Sequence, residues 1–386
     1  MEAGGFQFED CLLKHFIRRE VWLPKCRAQL KVLKSETNKS KKRPPRRMRY
    51  FTFCAVGALD VLLLDREKIL KKSSAKEFDT VFFFDRDEDA VSETRKRIPG
   101  ANGFPGDFVK VVLEAEQGAG LEAPANAENT REVREAQQKR AQHEKFLKSF
   151  PFDVINLDVE QYLFRPKEEL PGKLTTALRR LFDWQKRQGE TLEGQEYGVD
   201  EFALMFTTQV GPKNLPDDYL TYLRDTCLQQ NLASYPELQE PFNARSGGKT
   251  VAAYFTDDFD KAFKLAVPKS LIELAFESDC HIEGNDGIEI FEFDRQSKDG
   301  PYTMLHMAMT VRRQTPAKEK RAPGQKPPDV AQAEHKQAVA RLFQNDAIDV
   351  EELVVGERKD ELEADLGALF EHRKRYYSVP DTTSEG

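Results

Sequence analysis

Two apolar runs of the chain end directly in acidic residues. A carboxylate that follows a buried strand in this way comes to the protein surface, where it could bind a ligand or take part in a reaction. The segment FDTVFFFDRDEDAV, residues 78–91, places Asp85 immediately after the apolar residues 81–84. A carboxylate at such a strand end can accept hydrogen bonds from the two hydroxyl groups of a ribose. The alternative is that Asp85 and Asp87 both cap the following helix, and Asp87 is the better candidate for the N-cap.

Two further turns carry candidate ligand contacts. In CAVGALD, residues 54–60, Gly57 precedes a helix, where the backbone and its free N–H groups could approach a ligand closely. A single glycine before a helix is more often ordinary turn geometry than a cofactor loop. In GFPGDF, residues 103–108, Asp107 could accept from an exocyclic amine while Phe108 packs near a base. An ordinary Gly-Asp turn is the simpler alternative.

A further acid follows the apolar run in FDVINLDVEQY, residues 152–162. Asp158 lies at the end of this predicted strand, and Tyr162 follows one helical turn later.

Alternating strands and helices must position these side chains. Residues 49–56, 78–85, 152–159 and 200–210 are predicted as strands, and residues 287–295 and 302–314 as an antiparallel pair. Alternation of this kind favours right-handed βαβ units and a mainly parallel sheet. Ligands of such sheets bind beyond the carboxyl ends of the strands, so the candidate side chains are expected at one edge.

Three parts are predicted along the chain. Residues 1–48 form a helical extension and a basic linker, and eight of the residues 34–49 are Lys or Arg. Residues 49–314 form the main domain, with a charged insertion at about 117–149. Residues 315–386 form a Pro- and Lys-rich linker and a helical segment.

The composition limits the classes of protein to which this chain could belong. The chain has 386 residues, 39% hydrophobic content and a net charge of -7, which indicates a sizeable core and no dominant electrostatic field. No apolar stretch approaches the ~20 residues that span a bilayer, and the N-terminus does not resemble a secretory signal. Five scattered cysteines and six dispersed histidines predict reduced thiols, a cytoplasmic location and no metal site.

In order and spacing, the turns resemble the cofactor site of class I S-adenosylmethionine-dependent methyltransferases, over about residues 49–165. The resemblance implies a Rossmann-like fold with a mostly parallel seven-stranded sheet, an antiparallel terminal hairpin and helices on both faces. It assigns Ala55 and Gly57 to the methionine part of S-adenosylmethionine and Asp85 to the ribose. Asp107 and Phe108 would contact the adenine.

Within that fold, the one-glycine loop, the D-x-D-x-x-A-V pattern and the strand ending in NLD are similar to tRNA guanine-N2 dimethyltransferases. This resemblance implies that Asp158 and Tyr162 face the methyl acceptor, where Asp158 could bind an amine and the ring of Tyr162 could stack on a base. The proline turn that amino-group methyltransferases usually carry here is replaced by DVEQY. The first loop also departs from the family, because Thr52 or Phe53 stands where a carboxylate often lies.

The function predicted from this resemblance is S-adenosylmethionine-dependent methyl transfer to a nucleic acid. Phosphate contacts are expected from basic residues of the linker and of a predicted helix at 173–188, namely Arg43, Arg46, Arg47, Arg179 and Arg180.

A methyltransferase-like subunit that has lost catalysis and serves binding or assembly is the alternative. The degenerate loops favour it, whereas the retained Asp85 and Asp107 oppose it. Its contact surfaces would be the insertion and the terminal helices, with protein partners. A nicotinamide-dependent dehydrogenase fits poorly, because G-x-G-x-x-G is missing at residues 54–60.

Overall fold

A computed structural model describes most of the chain, and the described residues are 8–39, 46–54, 57–73, 77–117, 130–158, 173–187, 189–190, 196–211, 217–284, 287–297, 300–314 and 330–377. The chain forms two compact units. The first comprises Met1–Asp158, Arg187–Val199 and Val350–Gly386, and the second Val159–Lys186 and Asp200–Asp349. The described helices within residues 8–39 and 350–377 belong to the first unit, whereas the helix at 330–344 belongs to the second.

The described strands are β1 (Tyr50–Thr52), β2 (Val81–Asp85), β3 (Asn102–Pro105), β4 (Val154–Asp158), β5 (Gly189–Glu190), β6 (Glu196–Tyr197), β7 (Glu201–Gln209), β8 (Cys280–Ile282), β9 (Ile288–Ser297), β10 (Gly300–Arg313) and β11 (Ile348–Asp349).

The described helices are α1 (Phe8–Ile17), α2 (Leu23–Lys39), α3 (Leu59–Arg66), α4 (Glu88–Arg97), α5 (Phe108–Gln117), α6 (Thr130–Lys148), α7 (Lys173–Gln185), α8 (Asp217–Thr221), α9 (Asn231–Ser234), α10 (Gln239–Ser246), α11 (Val251–Asp257), α12 (Phe259–Glu277), α13 (Val330–Gln344), α14 (Val350–Leu353) and α15 (Gly356–Tyr377). Two π-helical segments, Arg18–Trp22 and Tyr222–Gln230, continue α1 and α8, and a 3₁₀ turn spans Pro236–Leu238.

The first unit is built on a parallel sheet with the order β4-β1-β2-β3. Phe51 of β1 lies opposite Phe82 on one side and Ile155 on the other. The residues of β1 are all buried, as are nearly all those of β2 and β4, which explains why these strands are continuous apolar runs. A short antiparallel pair, β5 and β6, also belongs to this unit.

Phenylalanine rings form much of the core of the first unit. The ring of Phe51 lies 5.2 Å from Phe152, 5.9 Å from Phe108 and 6.0 Å from Phe146, measured between ring centroids. Phe108 belongs to α5 and Phe146 to α6, so aromatic contacts hold both helices against the sheet. Helix α6 lies in the predicted insertion, and this contact joins it to the core.

Asp365 of α15 holds the two ends of the chain together within the first unit. Its carboxylate lies 2.9 Å from Nε2 of His15 and 2.8 Å from Nη1 of Arg19, and it accepts from Nη2 of Arg66 at 2.8 and 2.9 Å. Burial opposes the charge of Asp365. The hydrogen bond from His15 and the charges of Arg66 and Arg19 nevertheless hold the pKa of Asp365 well below its usual value.

Replacing Asp365 by Asn should therefore lower the free energy of unfolding by about 2 kcal/mol, the loss of hydrogen bonds to a charged group. Because the folded-state pKa is depressed, this contribution is present above about pH 4 and is lost as the pH falls through the folded pKa. Urea unfolding of the wild type and Asp365→Asn at pH 7 and pH 3 measures it. Glu371→Gln, at an exposed position of α15, is the control, and equal stability of both variants at pH 7 would contradict the prediction.

The second unit contains a mixed sheet with the order β7-β10-β9-β11, and β8 also pairs with β10. Strand β10 is antiparallel to β7, β8 and β9, whereas β11 runs parallel to β9. The predicted hairpin of residues 287–295 and 302–314 is thereby confirmed as β9 and β10. The chain has an α/β fold with mixed strand pairing.

The number of strands differs from the seven that the resemblance predicted. In the described residues, four strands form the sheet of the first unit and five that of the second. Strand β8 was not predicted. Within residues 347–355 only the two residues of β11 form a strand, because Val350 begins helix α14 with Glu351 and Glu352 in its first turn, where acids are favourable. Among the described helices, none is long and apolar enough to cross a membrane.

Candidate ligand site at the carboxyl edge of the first unit

The four parallel strands of the first unit direct the candidate side chains to one edge. Strand β1 ends at Thr52, β2 at Asp85, β3 at Pro105 and β4 at Asp158. Because neighbouring strands run in the same direction, the residues after them lie at the same end of the sheet. This edge therefore carries the described members of the predicted site, which are Gly57, Asp85, Asp107, Phe108 and Asp158.

Two of the predicted ligand contacts follow adjacent strand ends. Asp85 lies opposite Pro105, and the backbone N–H of Gly106 donates to the backbone carbonyl of Asp85 at 2.9 Å. Gly106 has a φ of +119°, which a residue with a side chain rarely adopts. Asp107 follows directly, so the fold brings the turns that carry Asp85 and Asp107 together.

The two acids after β2 have different roles in the structure. The side chain of Asp87 accepts from the backbone N–H of Asp89 at 2.8 Å, so the prediction that Asp87 is the N-cap of α4 is confirmed. Oδ1 of Asp85 accepts from the backbone N–H of Asp87 at 3.0 Å. Oδ2 of Asp85 has no hydrogen-bond partner among the described residues, and this half-buried carboxylate can still accept from a ligand.

The turn after β3 presents Asp107 but not Phe108. Oδ1 of Asp107 accepts from the backbone N–H of Lys110 at 3.1 Å. Phe108 is only 5% exposed, and its ring centroid lies 5.0 Å from Phe53 and 5.5 Å from Phe84. Phe108 is thus a core residue. Phe53, half-buried just after β1, is the partly exposed aromatic ring in this group.

The first loop departs from regular geometry at Ala58. This residue has φ 45° and ψ 35°, a left-handed conformation that is unfavourable for residues other than glycine, and it precedes α3 without a side-chain cap. A Cβ atom added to Gly57 would contact only Cγ of Leu59, at 3.7 Å, among the described atoms. Packing therefore does not require glycine at 57. Ala55 lies outside the described residues.

A buried carboxylate lies beneath this loop. Asp60 is 7% exposed and accepts from the hydroxyl of Tyr50 at 2.9 Å and from that of Thr52 at 2.7 Å. Nδ2 of Asn156 donates to the Tyr50 oxygen at 3.1 Å. Burial, together with the charge of Asp60, raises the pKa of Tyr50 well above its usual value, so this network retains the phenol proton.

Sequence reasoning missed Asp60. The sequence has no acid at Thr52 or Phe53, whereas the fold supplies one from the next helix, hydrogen-bonded to Thr52 itself. The available signal was an acid inside the apolar segment LDVLLLDR of α3. A carboxylate therefore lies beside the end of β1, and it is supplied by α3 instead of by the strand.

The acid at the end of β4 is held by the N-terminal helix. Oδ2 of Asp158 lies 2.7 Å from Nζ of Lys14, and the two side chains are 8% and 10% exposed. Lys14 belongs to α1, which was predicted as a separate extension. Tyr162, the other predicted acceptor contact, lies outside the described residues.

The basic residues proposed for phosphate binding are engaged elsewhere. Arg46 donates to both oxygens of Asp153 at 2.6 and 2.8 Å, and Arg47 to both oxygens of Asp79 at 2.5 and 2.6 Å. Asp79 and Asp153 precede β2 and β4, so these bidentate pairs lie at the amino edge of the sheet, opposite the candidate site.

The remaining basic candidates offer no clearer phosphate site. In the second unit, Arg179 of α7 forms an ion pair with Glu277, and Arg180 also has interaction partners. Arg43 lies outside the described residues.

No protein-family model matches the sequence, and no curated protein matches it.

The carboxyl edge of the first unit carries three groups that could bind a ligand. They are a pair of acid-bearing turns after β2 and β3, a buried carboxylate beside the first loop, and an acid–lysine pair at the end of β4.

Proposed function

We propose that the first unit binds S-adenosylmethionine and transfers its methyl group. The observation that carries this proposal is the parallel order β4-β1-β2-β3, with Gly57, Asp85 and Asp107 following three consecutive strand ends at one edge. The same order of elements underlies the resemblance to class I methyltransferases. The four parallel strands and the β9–β10 hairpin are compatible with the proposed seven-stranded Rossmann-like fold, to which β8 and β11 would be additions.

Each part of the cofactor has a matching group at this edge. The available oxygen of Asp85 can accept from ribose hydroxyls, and Asp107 can accept from the adenine amino group. The loop at Gly57 leaves room for the backbone to approach the methionine part. The buried charge of Asp60 near this loop favours a cationic ligand such as a sulfonium.

Asp158 is the proposed contact of the methyl acceptor. Methyl transfer is a displacement at an activated carbon, so the protein must mainly hold the nucleophile in line and exclude water. A carboxylate at the end of β4 can accept a hydrogen bond from an amine and orient it. Lys14, at 2.7 Å, fixes that carboxylate in position.

Nucleic acid is the acceptor class proposed from the sequence. Arg46 and Arg47 do not add support, because they bind carboxylates at the opposite edge of the sheet. Transfer of a labelled methyl group to RNA, DNA and protein therefore has to be compared.

The second candidate is a methyltransferase-like binding module without catalysis. The Lys14–Asp158 ion pair favours it, because an acid already satisfied by a lysine is less able to bind an acceptor. Binding of S-adenosylmethionine without transfer to any of the three pools would favour this candidate.

Calorimetric titration with S-adenosylmethionine is the direct test. Asp85→Ala should weaken binding at least tenfold, since a hydrogen bond to a charged group contributes about 1.5–3 kcal/mol. Asp89→Ala is the matched control, because it removes an exposed carboxylate two residues after Asp87 and should bind normally.

Gly57→Ala is a second arm of the same titration. The described packing accommodates a Cβ at this position, so the stability of the variant should match the wild type while its cofactor binding weakens. No binding to the wild-type protein would refute the cofactor proposal. Binding that neither Asp85→Ala nor Gly57→Ala affects would place the cofactor elsewhere.

A further inference from the structure

Arg18 carries a buried guanidinium, and two of its three nitrogen atoms have no hydrogen-bond acceptor among the described residues. The residue is 9% exposed and begins the π-helical turn Arg18–Trp22. Its Nε and Nη1 atoms are fully buried and have no acceptor among the described residues. The contact that the guanidinium does make is with the ring of Trp22, whose centroid lies 5.9 Å from Cζ. A ring face at this distance does not replace hydrogen bonds to the N–H groups.

The position of Arg18 is energetically unusual in two respects. An unpaired charge is among the most unfavourable groups to bury, and an apolar side chain of similar size would avoid that penalty. The π-helical turn also interrupts the regular helix between α1 and α2, and such turns are frequent at functional sites. A purely structural helix has no need of either feature.

Acids near this segment are already occupied by other cations. The pairs are Asp158 with Lys14, Asp365 with His15, Arg19 and Arg66, and Glu20 with Arg19 and Arg358. None of these acids is bonded to Arg18. The positive charge of Arg18 therefore remains uncompensated within the described part of the fold.

Helix α1, which precedes Arg18, lies beside buried hydrogen-bond acceptors at the carboxyl edge of the first unit. Lys14 lies one helical turn before Arg18, so the two cations are neighbours on the helix surface. Asn156 and Asp158 project from the same face of β4, and the Oδ1 atom of each is buried without a described donor. Unused N–H donors and unused oxygen acceptors thus occur close to the Lys14–Asp158 pair.

We propose that Arg18 is the centre of an oxyanion-binding site, which takes a phosphate or carboxylate group. Guanidinium groups bind both anions through charge-assisted hydrogen bonds. Resting on the proposed function, we assign this oxyanion to the methyl acceptor, whose amine faces Asn156 and Asp158. The site would then select acceptors that carry a negative charge near the methylated nitrogen.

Thermal unfolding of the full chain in inorganic phosphate tests the site without the cofactor. At constant ionic strength set with chloride, millimolar phosphate should raise the melting temperature of the wild type. The half-maximal phosphate concentration should be at least tenfold higher for Arg18→Met, and intermediate for Arg18→Lys. Arg27→Gln removes an exposed cation of the neighbouring α2 and should respond as the wild type does.

Without phosphate, Arg18→Met should melt at or above the wild-type temperature, because the variant no longer buries an unpaired charge. A lower melting temperature without phosphate, or failure to fold, would show that Arg18 is structural and would overturn the site. An equal phosphate response in Arg18→Met and the wild type would also overturn it.

Calorimetry with S-adenosylhomocysteine tests whether the bound oxyanion belongs to the methyl acceptor or to the cofactor. Equal affinity of the wild type and Arg18→Met assigns the oxyanion to the acceptor. A tenfold loss in Arg18→Met would assign it to the carboxylate of the cofactor and overturn the acceptor proposal. If neither protein bound the cofactor while phosphate still stabilised the wild type alone, the oxyanion site would stand and the methyltransferase proposal would fail.

Discussion

A Glu273→Gln variant should lose about 3 kcal/mol of folding free energy, because the change leaves a buried ammonium group without its counter-charge. That group is Lys269, which is 0% exposed and pairs with Glu273 one turn later on α12. Nε2 of His335 lies 3.3 Å from the same carboxylate oxygen. Burial opposes the charge of Glu273, but the hydrogen bond from His335 and the charge of Lys269 keep the pKa of Glu273 below its usual value.

Fluorescence of Trp184 during urea unfolding can measure this loss. Trp184 is fully buried on α7, which packs against α12, and a Trp22→Phe background removes the other tryptophan of the chain. The double variant Lys269→Met, Glu273→Gln removes both charges and should recover most of the stability. A loss below about 1 kcal/mol in the single variant would contradict the prediction.

The pH dependence provides a second readout for Glu273→Gln. Burial lowers the pKa of Lys269, and the charge of Glu273 opposes that shift in the wild type. In the variant the pKa falls further, so the unfolded chain binds more protons than the folded one between that lowered pKa and about 10.4. The free energy of unfolding of the variant should therefore rise with pH throughout this window.

If the first unit transfers methyl groups as proposed, replacing Asp158 by Asn should reduce that transfer at least about a hundredfold, the usual lower range for removing a catalytic carboxylate. The amide keeps the shape of the side chain but carries no charge to orient an acceptor amine or take its proton. Binding of S-adenosylmethionine should remain within about threefold of the wild type, because the proposed cofactor contacts lie after β1, β2 and β3. Labelled-methyl transfer and calorimetry on the same preparations give the two quantities.

The Lys14–Asp158 ion pair requires its own control in this experiment. Lys14→Met keeps the carboxylate but removes its partner, and the double variant removes both. If Asp158 acts on the acceptor, both proteins that carry Asp158→Asn should be inactive, while Lys14→Met should retain measurable transfer. Wild-type rates in Asp158→Asn would instead identify Asp158 as a structural anchor of α1.

Several elements follow from local patterns alone. The acids and the apolar positions of residues 87–98 predicted helix α4 with its N-cap at Asp87, because capping needs only neighbouring backbone N–H groups. The apolar runs at β2 and β4 and the hairpin of β9 and β10 were also predicted from sequence. In each of these cases the signal and the structure involve residues that are close in the chain.

The helices of residues 239–277 show where such patterns fail. Helix α12 is buried on nearly every side, including the polar residues Lys269 and Ser270. A helix surrounded by protein does not show one apolar and one polar face, so its sequence carries no clear helical period. The partners that compensate Lys269, Glu273 on the same helix and His335 on α13, became apparent only in the folded unit.

The sequence by itself determined the alternation of apolar strands and helices, the acids at the ends of β2 and β4, and the glycine turns, because strand and turn formation depend on short stretches. The tertiary structure alone decided which of those groups remain available. Asp60 of α3 accepts from Thr52 of β1, Phe108 enters the core, and Lys14 contacts Asp158. Arg46 and Arg47 bind acids at the opposite edge. Contacts between residues distant in the chain arise only when the elements pack together, and no local pattern encodes them.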